Sequence, residues 1–350
     1  MGIWDKGKNL VLLPFWGLQV FGMSKSFSAN PVIGSTALNR MGLHAGRVAL
    51  AHAMARLRWA FLAWQVPAEL RKSFQAQGFV VIPDLLPEAQ FDALRQQLAT
   101  QSGCEVRECI QGDTLTHRVL LDEDTLSRLP LLRRLLEHRL FEPLLTYCGA
   151  HRKRPLHYIQ SIKNGAADGD KDPQKALHAD TFHPTMKAWF FLDDVDPERG
   201  PFTYVPGSNR CTRERLAWEY RRSLTAKSDP DGYSERGSLR VDPEDLRTLG
   251  LPDPMALPVK RNTLVVANTC GFHCRGQAKA GMDRLEIWSF SRTNPFNPFP
   301  GFGSKLASKL EHRAAKALWK WRDKQAEAKG VLSSWHPVPG HVMSNRTVPE

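Results

Sequence analysis

No stretch of this 350-residue chain is both long and apolar enough to cross a bilayer as a helix, which takes roughly 18 or more consecutive apolar residues. The best run, Leu10 to Met23, is short and is interrupted by Pro14 and Gly17. Lys6 and Lys8 in front of it give the outline of a secretory leader, but the cleavage site that should follow is poor, so export is not expected. Lys6 stands where N-myristoylation of Gly2 would need serine or threonine. Cysteine is scarce, at six residues. Cys104 and Cys109 have four residues between them, Cys270 and Cys274 three, and no compact Cys-x-x-Cys knuckle occurs. That excludes a disulfide scaffold and argues against a zinc finger. The expectation is reduced thiols and a cytoplasmic protein. Internal repeats and low-complexity stretches are absent as well.

Acidic charge is thin at the two ends of the chain. The net charge is +12, and residues 1–66 carry seven Lys/Arg (Lys6, Lys8, Lys25, Arg40, Arg47, Arg56, Arg58) against Asp5. Residues 300–350 carry nine against Glu311, Asp323, Glu327 and Glu350, so the middle is close to neutral. Uniform basicity would suggest nucleic acid. Basic ends bearing tryptophan around a neutral body fit an anionic membrane surface or an acidic partner better, and no nucleic-acid partner is expected. Plainly solvated lysine-rich helices are the bland alternative.

Residues 34–64 are predicted helical, and Leu50, Met54, Leu57, Phe61 and Trp64 recur there at three-to-four spacing. That stripe suits either an interfacial helix or one packed on a core. Further helices are predicted over Ala68–Gln77, Pro87–Thr100 and Leu131–Tyr147, the last broken or kinked at Pro143, and Phe79–Ile82 is a strand bounded by Pro83. From about 155 to 293 the texture becomes short strands: Leu156–Ile162, Ala188–Leu192, Phe202–Val205, Ala256–Pro258, Thr263–Ala267 and Leu285–Ser291. Asn164-Gly165, Asp168-Gly169, Gly200-Pro201 and Pro206-Gly207 supply the turns. A β-sandwich or barrel flanked by helices follows, α+β overall, with a basic helix over about 304–329. The expected division is an N-terminal arm (1–66), a central domain (67–295) and a C-terminal arm (296–350).

His178-Ala179-Asp180 places an imidazole and a carboxylate two residues apart, hence on one face of an extended segment. Alone that spacing is weak. His273 lies 93 residues past Asp180, and Arg284 eleven residues after His273. Two imidazoles and one carboxylate on one face leave coordination positions open, the donor set of a non-haem ferrous oxygenase. A guanidinium nearby can grip the distal carboxylate of a 2-oxo diacid through a forked pair of bonds.

From about Leu70 to Pro295 the chain resembles the phytanoyl-CoA dioxygenase family of Fe(II)/2-oxoglutarate oxygenases. The resemblance is carried, in order, by Phe74-x3-Gly78-Phe79-Val80-Val81-Ile82-Pro83, the helix after Pro87, His178-Ala179-Asp180, Ala188-Trp189, Asp194 to Gly200, Tyr204-Val205-Pro206-Gly207-Ser208-Asn209, His273 and Arg284. It implies a double-stranded β-helix (jelly-roll, cupin-like) core. It also implies iron ligation by His178, Asp180 and His273, with 2-oxoglutarate held by Arg284, Trp189 near the cosubstrate and Gln160 lining the pocket. The bland readings of Trp189 and Gln160 are a core aromatic and an outward-facing strand residue. Fe(II), 2-oxoglutarate and O2 would be required, with ascorbate as a reductant. Asp180 argues against halogenation, since related halogenases lose this carboxylate, so hydroxylation with release of succinate and CO2 is implied.

Two positions depart from the family pattern: Asn209 replaces a usual histidine, and Arg275 a small hydroxyl residue. Arg275 is open to three readings: a cosubstrate contact, a contact to an anionic substrate, or a solvent-facing cation. His183 is either a loop residue or a neighbour of the site. Three hypotheses follow. The first is a hydroxylase acting on a small molecule. The second is a catalytically silent jelly-roll binding protein. The third has the basic arms bring the barrel to a membrane and a lipid or envelope glycolipid substrate. Arms packed on the barrel or at a dimer contact are the alternative to the last.

Overall fold

The computed structural model describes residues 12–100, 103–166 and 172–340. Gly2, Lys6, Lys8 and the expected Asp168-Gly169 turn lie outside them.

Alternation in the strands creates two differently used faces. An eight-stranded antiparallel sheet has the order β1-β8-β5-β10-β4-β3-β2-β11. Its members are β1 (Phe79–Ile82), β2 (Val106–Gln111), β3 (Thr114–Leu120), β4 (Leu156–Asn164), β5 (Met186–Phe191), β8 (Thr263–Asn268), β10 (Asp283–Ser291) and β11 (His336–Val338). On one face Ala188, Phe190, Leu264, Val266, Leu285 and Ile287 join a single apolar cluster with the helices behind them. On the other, Trp189, Phe191, Val265, Ala267 and Trp288 meet Phe202 and Tyr204 of a smaller sheet. That sheet has the order β7-β6-β9, with β6 (Phe202–Tyr204), β7 (Met255–Ala256) and β9 (His273–Arg275). The result is helix layer, large sheet, small sheet. Fully burying a side chain such as Phe190 contributes about 1.5–3 kcal/mol.

The helix layer contains α3 (Leu43–Leu62), α4 (Ala68–Gln77), α5 (Glu88–Thr100), α7 (Pro130–Leu136) and α8 (Phe141–Gly149). Before it come a helix over 12–19 (α1) and α2 (Thr36–Arg40). Gly78, the C-cap of α4, has φ +90°, and a Cβ there would lie 2.4 Å from the Tyr204 hydroxyl. Only glycine lets α4 stop and β1 begin beneath the small sheet.

Several elements differ from expectation. α7 and α8 are separate helices, and the break falls at 137–140 rather than at Pro143. Pro143 sits in the first turn of α8, where no amide donor is needed. The β2–β3 hairpin was not foreseen, because its strands place Arg107, Cys109, Thr116 and Arg118 where an apolar alternation would have revealed them. α3 packs on the body through Ala55, Trp59 and Leu62. Arg58 is also buried there and donates to the Ala150 and Pro295 carbonyls at 2.7 and 3.1 Å. The stripe Leu50, Leu57, Phe61 and Trp64 is on the other side, 46, 41, 48 and 77% exposed.

The basic C-terminal helix, α11 (Lys305–Glu327), is docked as well. Lys153 pairs with Glu311 at 2.8 Å, and Lys316 pairs with Asp122. Arg107 bonds Asp323 at 2.7 Å and the Trp335 carbonyl at 2.6 Å, and β11 pairs with β2.

Candidate metal centre

His178 lies in an extended segment that joins the edge of the small sheet next to β9. Its amide donates to the His273 carbonyl at 3.0 Å, and the His273 amide donates back to the His178 carbonyl at 2.9 Å. Residues opposed in this way share a face, and so does the residue two positions along. The Asp180 amide is anchored to the Thr269 carbonyl at 2.9 Å. Three side chains distant along the chain thereby converge.

His178 Nε2 is 3.8 Å from Asp180 Oδ1, and His273 Nε2 is 3.7 Å from Asp180 Oδ2. One donor atom from each residue lies within 4.8 Å of the others, and this is the only such group of three among the described residues. Both histidines use the same local device: Nδ1 donates to the carbonyl two residues earlier, Ala176 at 2.8 Å and Gly271 at 2.9 Å. That places the proton on Nδ1 and leaves Nε2 as a lone pair aimed at its neighbours. Both Nε2 atoms are buried and make no hydrogen bond. Burial, together with the facing His273, holds His178 well below its usual range, and burial lowers His273 to about 4. Burial alone would raise the Asp180 carboxyl, but the Lys187 ammonium holds it well below the ordinary range. Two neutral imidazoles and a carboxylate are what a divalent iron requires, so the residues present fit the metal.

Lys187, on β5, places Nζ 2.7 Å from Asp180 Oδ2. Lys25, from the segment after α1, donates to the Asp180 carbonyl oxygen. Burial and then the nearby Arg292 bring the Lys25 ammonium down to about 8. Neither lysine was anticipated. Lys187 shares a strand face with Trp189, so a strand begun at Met186 rather than Ala188 would have exposed it. Lys25 carried no signal. A further unread pair, Arg215 and Glu219 on α9 (Arg213–Thr225), supports the centre from behind. Glu219 Oε2 meets His44 Nε2 of α3 at 2.9 Å, and Arg215 bonds the Cys270 carbonyl at 3.0 Å, three residues before His273. The i,i+4 spacing in a helix was the available clue.

The remaining predicted residues lie on the inner face. Arg284 is buried, donates to the Gly200 carbonyl and has Nε 3.2 Å from Glu286 Oε2. Gln160 bridges Arg118, at 2.7 Å, to Glu286. Arg118 in turn lies between the rings of Trp288, at 4.0 Å, and Trp335, at 4.4 Å. Trp189 stacks near Phe202 with centroids 4.4 Å apart, and Phe202 is 5.8 Å from the His273 ring. Arg275 is not at the solvent: it is tied to the fully buried Asp172 at 2.6 Å. Asn209 is buried, with Nδ2 3.5 Å from the Gln75 carbonyl, a structural position beside Gly78. His183 is buried and donates from Nδ1 to the Pro184 carbonyl at 3.1 Å. All six cysteines are free.

Comparison with known proteins bears on this geometry. Residues 74–242 match the family described as phytanoyl-CoA dioxygenase (PhyH), a span that includes His178 and Asp180. Among solved structures, the chain is similar to the non-haem α-ketoglutarate-dependent epimerase SnoN from nogalamycin biosynthesis, at 20% identity over 66% of this chain and 82% of that one, TM-score 0.40. It is similar to the carbocyclase SnoK from nogalamycin biosynthesis at 22% identity over 64% and 83%, TM-score 0.41. HygX from Streptomyces hygroscopicus, with nickel and 2-oxoglutarate bound, is 18% identical over 64% and 86%, TM-score 0.37. No curated protein matches the sequence. The matched span and the buried His-Asp-His triad together support a phytanoyl-CoA dioxygenase-like chain, with iron and 2-oxoglutarate as its cofactors.

Proposed function

We infer that this protein is an Fe(II)- and 2-oxoglutarate-dependent hydroxylase. It inserts oxygen at an unactivated carbon of a small molecule, uses O2 and releases succinate and CO2, with ascorbate keeping the iron reduced. The single observation that carries the reading is the pair of buried, unbonded Nε2 atoms converging with a carboxylate. The two-sheet architecture supports a double-stranded β-helix with the site between its sheets. The oxygenase domain would span residues 67–295, with basic arms on either side of it.

His178, Asp180 and His273 would hold the iron, and Arg284 would take the distal carboxylate of 2-oxoglutarate. When bound, the iron supplies oxygen activation coupled to decarboxylation of the cosubstrate. The chain contributes the rest. The Nδ1 hydrogen bonds orient both imidazoles, and Lys187 fixes the carboxylate. Trp189, Phe202 and Tyr204 form an apolar wall that excludes water. Gln160 and Glu286 set the side chain of Arg284, and Arg275, neutralised by Asp172, supports the same face of β9 as His273. Anaerobic addition of Fe(II) and 2-oxoglutarate to the folded protein is expected to produce the weak visible charge-transfer band of a chelated ferrous site. A reconstituted protein without that band would overturn the reading.

A second reading is a catalytically silent jelly-roll protein at a membrane, with a lipid or glycolipid as its ligand. It draws on the pairing of Arg284 with Glu286, which occupies the guanidinium, and on the exposed Leu50, Leu57, Phe61 and Trp64. No helix among the described residues is long and apolar enough to cross a membrane, so association would be peripheral. Succinate formation in the absence of added substrate excludes the silent protein. Equal, negligible sedimentation with anionic and neutral liposomes removes the membrane.

A further inference from the structure

The geometry points to a phosphate-bearing substrate whose anionic group sits between Lys25 and Arg292, in a cavity beside the triad. This assignment deepens the oxygenase reading and rests on it for the word substrate. The cavity has a volume of about 320 Å³, and Lys25, Lys153, Arg154, Thr181, Arg292 and the carboxylate of Glu311 are on its wall. It adjoins the metal centre directly: Thr181 follows Asp180 in the chain, and the Lys25 ammonium reaches from the cavity to the Asp180 carbonyl.

The cations in this wall are not equally satisfied. Lys153 is matched by Glu311 at 2.8 Å, and Arg154 by Glu142 at 3.6 Å. Lys25 and Arg292 form no ion pair with a carboxylate among the described residues. Asp180 is close enough to feel both, but it already has Lys187 at 2.7 Å and two imidazoles around it. Two positive charges held near one another without a counter-charge are unfavourable unless a ligand supplies it. A phosphate monoester carries about −1.5 to −2 at neutral pH and offers several acceptor oxygens, which matches two cations and the Thr181 hydroxyl, which is buried without a hydrogen-bond partner.

The cavity is separate from the proposed cosubstrate position. Arg284 is the second residue of β10 and Arg292 follows its last. Eight residues of strand put the two guanidinium-bearing positions roughly 26 Å apart along the backbone. The 2-oxoglutarate carboxylate and the substrate phosphate would thus approach the iron from opposite ends of one strand.

The test is calorimetric titration of the full-length, metal-free protein with inorganic phosphate and with glycerol 3-phosphate, repeated on Arg292→Gln and Arg292→Lys. Saturable binding is expected, weakened roughly tenfold in Arg292→Gln and largely restored in Arg292→Lys. Sedimentation with phosphatidate vesicles distinguishes the source of the group. Binding to glycerol 3-phosphate in solution assigns a soluble phosphate ester. Retention on phosphatidate vesicles, lost in Arg292→Gln and absent on neutral vesicles, assigns a lipid headgroup. An adventitious ion only, meaning weak non-saturable binding equal in wild type and Arg292→Gln, overturns the proposal. The charge-transfer band measured on the same proteins keeps the two readings apart, since it is expected in wild type and Arg292→Gln alike whatever the phosphate result.

Discussion

His178 and His273 form a reciprocal backbone pair, each amide donating to the other's carbonyl at 3.0 and 2.9 Å, with imidazole centroids 4.6 Å apart. The ladder itself aims the two rings at one point, and Asp180 joins them by the two-residue repeat of an extended chain. Replacing either histidine with alanine deletes a donor while leaving the backbone pair intact. Loss of the Fe(II)–2-oxoglutarate band with little change in the urea midpoint is the expected outcome; a retained band in either variant would show that the metal lies elsewhere.

Lys187 holds the second oxygen of the same carboxylate. Lys187→Met keeps the length of the side chain and removes its charge. Metal affinity is expected to fall about 10- to 100-fold, the range seen for outer partners of metal ligands. Titration of the anaerobic protein with Fe(II) measures it, and an unchanged affinity would make Lys187 a bystander.

The C-terminal arm reaches the inner face through Trp335, whose ring covers Arg118 and so touches the run Arg118–Gln160–Glu286–Arg284. A cation stacked on an indole contributes about 0.5–2 kcal/mol. For Trp335→Ala, 2-oxoglutarate binding is expected to weaken about three- to tenfold, with the apparent affinity for iron unchanged. Equal weakening of both would instead indicate general loosening.

Glu219 is buried between His44 and Arg215. Burial opposes its ionisation, but the Arg215 guanidinium and His44 overcome that and bring the carboxyl from 4.5 to about 2. A carboxyl lowered on folding stabilises the native state above its unfolded value. That contribution, on the order of 3 kcal/mol, is therefore complete above pH 5 and is lost as pH falls from about 4.5 towards 2. Glu219→Gln should flatten this part of the stability–pH curve and should lower stability at pH 7 by about 3–5 kcal/mol by leaving Arg215 unpaired. Urea denaturation at a series of pH values reads both effects; parallel curves for the two proteins would contradict the assignment.

Gly78 combines φ +90° with a Tyr204 hydroxyl 2.4 Å from where a Cβ would stand. Gly78→Ala should therefore destabilise by about 2 kcal/mol or more, beyond the usual helix-cap preference. Tyr204→Phe in the same background should recover part of the loss if the clash is the cause, as thermal unfolding of both variants would reveal.

Much of the candidate site was legible because metal chemistry demands particular side chains at particular spacings. His178-Ala179-Asp180, His273 and Arg284 stood out against the surrounding strands. Strand positions such as Leu285–Ser291 were legible for a similar reason, since apolar runs between turn residues have few other uses. The β2–β3 hairpin was not, because its interior positions are filled by Arg107, Thr116 and Arg118, whose partners come from strands and an arm far away in sequence.

The sequence by itself determined the donor set, the cofactor class and the alternation of a two-faced sheet, all of which depend on residue type and local spacing. Only the tertiary structure decided which face of α3 is buried, that Lys25 from the first thirty residues stands over Asp180, and that the C-terminal arm closes on Arg118. Those outcomes turn on which long-range partner each side chain finds. A basic, apolar-striped helix has the same local pattern whether it covers its own barrel or another surface, so periodicity could not choose between them.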